Sequence, residues 1–339
     1  MNFVSFILRR IILMIIVLVG VGCIVFVVSR VIPADPVGAI LGGNAPVEVV
    51  DRMRAQLGYD RPIAVQFIDF IQGAIRLDFG VSLRTNRPVM TDIMEYFPVT
   101  MELAIVAIFI SILTGVVLGV LSAVYRNRWI DQFSRIFSIF GVSMPVFWTG
   151  LMLILVFYGI LGWLPGAGQY DWMIELDNPL TSITGMRLLD SLLQGNWHAF
   201  WDAFRHIILP AIVLGLTATA IIARITRASM LDVLKQDYIR TAKAKGLKKR
   251  IVILRHALRN SLIPTVTVIG LTFGSLLEGA VLTETVFSRQ GLGRYITNGL
   301  LGLDYPAVTG GTLYIALIYC LANLIVDIVY AILDPRMRS

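Results

Sequence analysis

Six stretches of this 339-residue chain are almost free of charge and long enough to cross a membrane: Ile11–Val28, Leu103–Val124, Ile136–Leu164, Ile207–Ala223, Ser261 to about Thr283, and Pro306–Leu333. A hydrocarbon core of about 30 Å takes roughly 20 apolar residues in a helix, so the pattern predicts an all-α membrane protein with six transmembrane helices. Pro145, Pro210 and Pro264 interrupt three of these runs. Proline at membrane depth is tolerated where neighbours or a cavity satisfy the freed carbonyl. Both a simple kink and a cavity lining are therefore open for Gly141–Pro145. In the second run Gly115 and Gly119 are four apart, a spacing that lets helices approach closely.

Polar segments separate the runs. Residues 30–98 carry mixed charge, are punctuated by Pro33, Pro36, Pro46, Pro62 and Pro88, and hold two helical patches, Glu48–Leu57 and Ile63–Leu77. So long and patterned a connection is more than a turn, and it reads as an external segment on the membrane surface. Pro165–Arg205 is a second one; there Trp163, Trp172, Trp197 and Trp201 suit anchoring at the headgroup level. A last one, Glu284–Tyr305, turns at Gly291-Leu-Gly293. The other connections are basic. Arg9 and Arg10, then Arg126, Arg128 and Arg135, then eleven Lys and Arg between Arg224 and Arg259, then Arg336 and Arg338 all fall on one side if the helices alternate. The positive-inside rule then places both termini in the cytoplasm. The first apolar run runs on past Cys23 with no small-residue cleavage site to close it, as in a membrane anchor rather than a cleaved signal.

Composition agrees. Hydrophobic residues make up 57% and charged residues only 15%, where a soluble domain has about half and a quarter; the mean hydropathy is +0.78. The net charge of +7 is explained by orientation in the membrane, and no nucleic-acid partner is expected. Cys23 and Cys320 lie inside uncharged runs, and His198, His206 and His256 are scattered, so neither a disulfide framework nor a metal site can be read. No phosphate-cradling G-x-x-x-x-G-K-[ST] loop, serine elbow or H-E-x-x-H motif occurs. The chain is expected to have no catalytic residues and to bind no cofactor. Glu278 and Asp327 are acids within apolar runs, a functional signal by default, though both lie near a run's end and could reach interfacial water.

One polar stretch, Asp237–Pro264, is more than charge. Leu231, Leu234, Tyr238 and Ala242 recur at helical spacing and predict one helix face. Gly246 then falls where a left-handed cap would end that helix. This stretch resembles the cytoplasmic signature loop of binding-protein-dependent ABC importer permeases: Glu-Ala-Ala, three residues, Gly, then a run ending Ile-x-Leu-Pro. Gly246 holds the glycine. Arg240-Thr241-Ala242 stands in place of Glu-Ala-Ala, and His256-Ala257-Leu258-Arg259 in place of Ile-x-Leu-Pro. Those departures resemble the dipeptide/oligopeptide branch. So do FILRR near the start, Ile32-Pro33-x-Asp35-Pro36, GVSMPVFW at Gly141–Trp148, His206–Ala211, Leu282–Phe287, Gly291–Arg294 and Asp304–Pro306. The long segment after the first helix resembles the first, B-type permease of such systems.

The resemblance implies a single permease domain, 1–339, of the type I importer fold in a bacterial or archaeal inner membrane. It implies a second homologous permease, two ATPase subunits carrying ATP and Mg, an extracytoplasmic substrate-binding protein and membrane lipid as partners. The coupling loop would lie within 224–259, with Tyr238, Arg240, Thr241, Ala242, Gly246 and Leu247 nearest the ATPase. Ser143, Met144, Pro145 and Glu278 are the candidates for pathway or gate. The cargo would be di- or oligopeptides, with nickel chelates, glutathione or opine-like solutes as alternatives. A lone ion-coupled secondary transporter would instead show inverted repeats, and none is visible.

Overall fold

The computed structural model describes residues 3–30, 46–56, 58 and 60–333. The Ile32–Pro36 motif and the tail arginines Arg336 and Arg338 lie outside the described residues. Among them the only β pairing is one isolated bridge, Val81 to Pro88. The helices, in chain order, are α1 (Phe3–Arg30), α2 (Val47–Gln56), α3 (Ile63–Ile75) and α4 (Val89–Val124). Then come α5 (Trp129–Ser143), α6 (Val146–Ile160, π-helical from Ile154), α7 (Trp172–Asp177), α8 (Arg187–Leu193) and α9 (Trp197–Val233). The chain ends with α10 (Asp237–Ala244), α11 (Lys249–Val286, π-helical over Val252–Ala257), α12 (Leu292–Leu301) and α13 (Tyr305–Leu333).

Five of these are long and apolar enough to cross a membrane, and α5 with α6 makes a sixth if that bent pair is one span. The helices outrun the apolar stretches that announce them. The 36 residues of α4 and 37 of α9 would extend about 54 Å at 1.5 Å per residue, far beyond the hydrocarbon core. Lipid depth sets where the apolar run ends, while capping sets where the helix ends. The Asn196 side chain caps α9 by accepting the Ala199 N–H at 3.1 Å, well before the apolar run starts at Ile207.

At the centre α4 and α9 run side by side in the same direction. A Cβ at Gly115 would fall 2.9 Å from Ile222 and one at Gly119 2.6 Å from Thr226, so the spacing read from sequence does bring two backbones together. Helix α11 returns antiparallel, and Leu276, Leu277 and Ala280 close a core with Leu103, Ala107, Ala211 and Leu214. In lipid this association rests on close van der Waals packing, which explains the alanines. Helix α13 packs on α11 through Gly270 and Gly274, and α1 packs outside α13. There Asp327 meets Arg10 at 3.0 Å, so this acid is paired within the chain.

The third apolar run is no gentle kink. Between α5 and α6 the axis turns by 111°. Both halves nevertheless advance along α9 in one sense: Asp131 meets Arg227, Gly141 meets Thr217, and Leu153, Ile154 and Phe157 pack on Leu209, Val213 and Phe287. The pair is therefore a broken span rather than a loop that returns.

Candidate coupling and pathway site

The bundle has two unlike ends. The basic end gathers the C-termini of α4 and α9, the N-termini of α5 and α11, and the short helix α10. A turn over residues 234–236 separates α10 from α9, so the two do not share a face. Leu231, Leu234 and Ala242 all pack inward, but the residue buried on the first turn of α10 is Ile239, while Tyr238 is 41% exposed. The turn shifts the helical phase by one position. Ile239 and Ala242 press on Ala123, Met230, Val252 and Ala257. Everything else on α10 is exposed, including Arg240 and Thr241.

The end of α10 is built as a double-bonded glycine cap. Gly246 lies at φ +73°, its N–H donating to the Lys243 carbonyl at 3.0 Å and that of Leu247 to Ala242 at 3.4 Å. These two bonds satisfy carbonyls that a helix end leaves open, and the left-handed residue between them favours glycine. Leu247 is left 39% exposed beside a cleft of about 360 Å³ whose floor is Val124, Leu234 and Val252 and whose rim holds Lys243 and Lys249. Asn260 on α11 donates to the Tyr238 hydroxyl at 2.8 Å. Of the six predicted coupling residues, five face solvent and Ala242 faces the protein.

Beneath this element a buried carboxylate meets a half-buried guanidinium. Arg227 of α9 grips Asp131 of α5 at 2.7 and 3.0 Å, and Asp131 also accepts from Ser122 at 2.6 Å and from the Asn127 N–H at 2.9 Å. Three helix ends are thereby tied together.

The pathway candidates divide. Pro145 has no N–H for the Gly141 carbonyl four residues back, and the Thr217 hydroxyl donates to that carbonyl at 2.9 Å. Ser143 and Pro145 are exposed and Met144 half-buried. Ser143 borders a groove of about 500 Å³ between α5 and α9, with Arg135 and Arg224 on its rim. Glu278 lies on another helix and has no hydrogen-bond or ion-pair partner among the described residues. It is exposed in one stripe of α11 with Leu271, Ser275, Leu282 and Thr285, spaced by four and three residues as one helix face requires.

The far end buries several of its charges. Arg289 donates to Glu102 at 3.3 Å, whose other oxygen accepts the Leu188 N–H at 2.6 Å. Glu284 accepts from the Thr100 hydroxyl at 2.5 Å and from the Arg294 N–H at 3.0 Å. A Cβ at Gly291 would sit 2.2 Å from that carboxylate, so the glycine makes room for Glu284. Tyr295 donates to Asp92 at 3.2 Å; burial, then Asp92 and Asp304, push its phenol up and keep it a neutral donor. Asp304 accepts from the Ser82 hydroxyl and from two backbone N–H groups.

Residues 115–339 match the family described as binding-protein-dependent transport system inner membrane component, and residues 3–104 match its N-terminal companion. The chain belongs to this family. Curated relatives align along nearly all of it. The probable D,D-dipeptide transport system permease protein DdpB of Escherichia coli (strain K12) is 45% identical over 99% of this chain and 98% of its own length. The dipeptide transport system permease protein DppB of Haemophilus influenzae is also 45% identical, over 98% and 99%. The glutathione transport system permease protein GsiC of Escherichia coli O1:K1 is 37% identical, over 98% and 99%. A crystal structure of an amino acid ABC transporter aligns at a TM-score of 0.46 and 14% identity, over 73% of this chain and 94% of that one, too loosely to support any argument.

In this inner-membrane permease, the sequence pattern misplaced the buried acids. Glu284 reads as the start of an external loop, yet it is fully buried in α11, and Glu102 reads as the boundary of an apolar run. Gly291 and Gly293, which leave room for Glu284, are the signal that could have found that acid; Glu102 has no such signal in its neighbourhood. Among the described residues no cluster of His, Cys, Asp and Glu could hold a metal.

Proposed function

We propose that this chain is one of the two permeases of an ATP-driven importer of di- or oligopeptides, with both termini in the cytoplasm. In this reading α10 is the coupling helix. The observation that carries it is the form of α10: an exposed helix seated by two inward residues and ended by a glycine cap, in a chain without a nucleotide-binding loop of its own. Keeping a membrane protein oriented needs charge but no defined turn. Tyr238, Arg240, Thr241 and Leu247 would meet a groove on the ATPase subunit, Gly246 would fix the angle, and Ala242 would hold the helix to the bundle. Approach of two such helices, driven by ATP and Mg on the partner subunits, would switch the pathway between inward- and outward-facing states.

A substrate-binding protein would deliver the cargo at the far end. The stripe around Glu278 would face the pathway or the second permease, because an unpaired acid facing lipid costs several kcal/mol. The break at Ser143–Pro145 would lie along the same route. The relatives named for dipeptide transport support a peptide cargo; the one named for glutathione supports a second reading, in which the same machinery carries that tripeptide thiol.

The test is reconstitution of the co-purified complex in liposomes. ATP-dependent uptake of a labelled dipeptide, dependent on the binding protein and not competed by glutathione, is expected. Uptake by this chain without an ATPase would overturn the reading, and preferential glutathione uptake would select the second one.

A further inference from the structure

The far ends of α1 and α13, with α3 laid against them, form a two-part slot that contains none of the coupling or pathway candidates named above. Its upper part is an open polar pocket of about 290 Å³ lined by Ser29, Arg61, Gln66, Asp69 and Asp78. Its lower part is an apolar groove of about 300 Å³ walled by Val19, Gly22, Ala74, Ile75, Leu313 and Leu317. The two share Phe70 and Phe79 as lining, so they adjoin on either side of these rings.

Depth in the membrane follows from the helices themselves. On α1 the polar pocket touches Ser29 and the groove spans 15–22; on α13 the pocket touches Tyr305 and Thr309 and the groove Leu313 and Leu317. Both helices therefore place the polar part at the end of the span and the apolar part roughly 6 to 20 Å deeper, at 1.5 Å per residue. Helix α3 buries none of its residues against the protein. It is held where Phe26 meets Phe67 and Phe70, with ring centres 5.1 and 5.5 Å apart, and the apolar side chain of Ile75 remains 78% exposed. A polar pocket at headgroup level beside an apolar groove has the layout of a phospholipid.

The charges narrow the headgroup. Arg61 pairs with Asp69 at 3.1 Å, and Asp78 adds a second carboxylate. One guanidinium can take a phosphate, but two carboxylates repel a lipid whose only charge is negative. A head carrying both a phosphate and a primary ammonium satisfies Arg61 and Asp78 together, with three N–H donors for the acids. We propose that this slot binds one zwitterionic phospholipid of the phosphatidylethanolamine type, its acyl chain lying between α1, α3 and α13.

The test is native mass spectrometry of the full-length chain in its purified, delipidated complex. It is titrated with phosphatidylethanolamine or phosphatidylglycerol of the same acyl chains. The first adduct is expected to form at least tenfold more tightly with phosphatidylethanolamine. Asp78→Asn keeps an oxygen for the Gly80 N–H, which Asp78 accepts at 3.1 Å, and should cut that preference severalfold at unchanged thermal stability. Ala74→Phe, which fills the groove, should abolish the tight adduct. Equal binding of the two lipids, a preference unmoved by Asp78→Asn, a tight adduct surviving Ala74→Phe, or no adduct because another chain covers the slot would each overturn the proposal.

Discussion

At the far end of the bundle Glu102, Glu284, Arg289, Asp92 and Asp304 are all buried, and each is answered by a hydroxyl, a backbone N–H or an opposite charge. At the basic end Arg240, Lys243, Lys245, Lys248 and Lys249 stand in solvent. Beneath them Asp131 is buried and its partner Arg227 is half-buried. The contrast separates two uses of charge in a membrane chain. Buried pairs tie α4, α11, α12 and α13 into one frame, because a lone charge there is far costlier than a paired one. Exposed charges on a small, rigidly capped helix add little to the frame and leave a surface for another protein.

The comparison can be broken by mutation, and the largest effects should come from the far end. Arg289→Met leaves Glu102 buried without its cation and is expected to destabilise the chain by about 3–5 kcal/mol, read as a lower thermal midpoint in detergent. Adding Glu102→Gln should recover part of the loss; no recovery would mean that Arg289 acts through packing alone. At the basic end, Arg227→Met should cost less, about 2–3 kcal/mol. Asp131 keeps Ser122 and the Asn127 N–H, which the same melting experiment can resolve.

A smaller effect is expected from acid. Burial pushes the Asp190 carboxyl up, but hydrogen bonds from the Thr184 hydroxyl and from the N–H groups of Thr184, Ile183 and Gly185 outweigh it, so the net shift is below the ordinary 3.8. A depressed carboxylate contributes stability that is complete above its unfolded value and is lost as pH falls through the folded one. Protection from hydrogen exchange at 183–185, taken relative to the intrinsic rate at each pH, should therefore hold above pH 3.8 and fall below it; protection already lost at pH 5 would contradict this. The smallest effect on the fold belongs to Arg240→Ala. Its ion pair with Asp237 at 3.3 Å is exposed on both sides, so the melting point should hold within about 0.5 kcal/mol. Substrate-stimulated ATP hydrolysis by the complex should nevertheless fall. A shifted melting point with intact hydrolysis would reverse the roles assigned to the two ends.

Much of this was legible from the apolar pattern, which marks lipid depth directly: six spans, the basic stretch and the turn at Gly246. What stayed hidden depended on contacts distant in sequence. Glu102 and Arg289 are 187 residues apart, and nothing near either one announces the other. The single helix face read through Leu231, Leu234, Tyr238 and Ala242 breaks at Tyr238, because periodicity cannot see the turn at 234–236 that resets the helical phase and puts Ile239, not Tyr238, inside. The 111° break was legible as a proline but not as an angle, since Thr217 supplies the hydrogen bond that lets so sharp a turn persist.

The central claim is that α10, held at its angle by Gly246, receives the drive from an ATPase. Gly246→Pro fixes φ near −65° and removes the N–H that bonds Lys243, whereas Gly246→Asn tolerates the left-handed conformation. Peptide uptake and peptide-stimulated ATP hydrolysis should be measured side by side in liposomes holding the complete complex. Uptake is expected to be lost in Gly246→Pro and largely kept in Gly246→Asn, with equal amounts of both variants inserted in the membrane. Normal uptake and stimulation in Gly246→Pro would contradict the account.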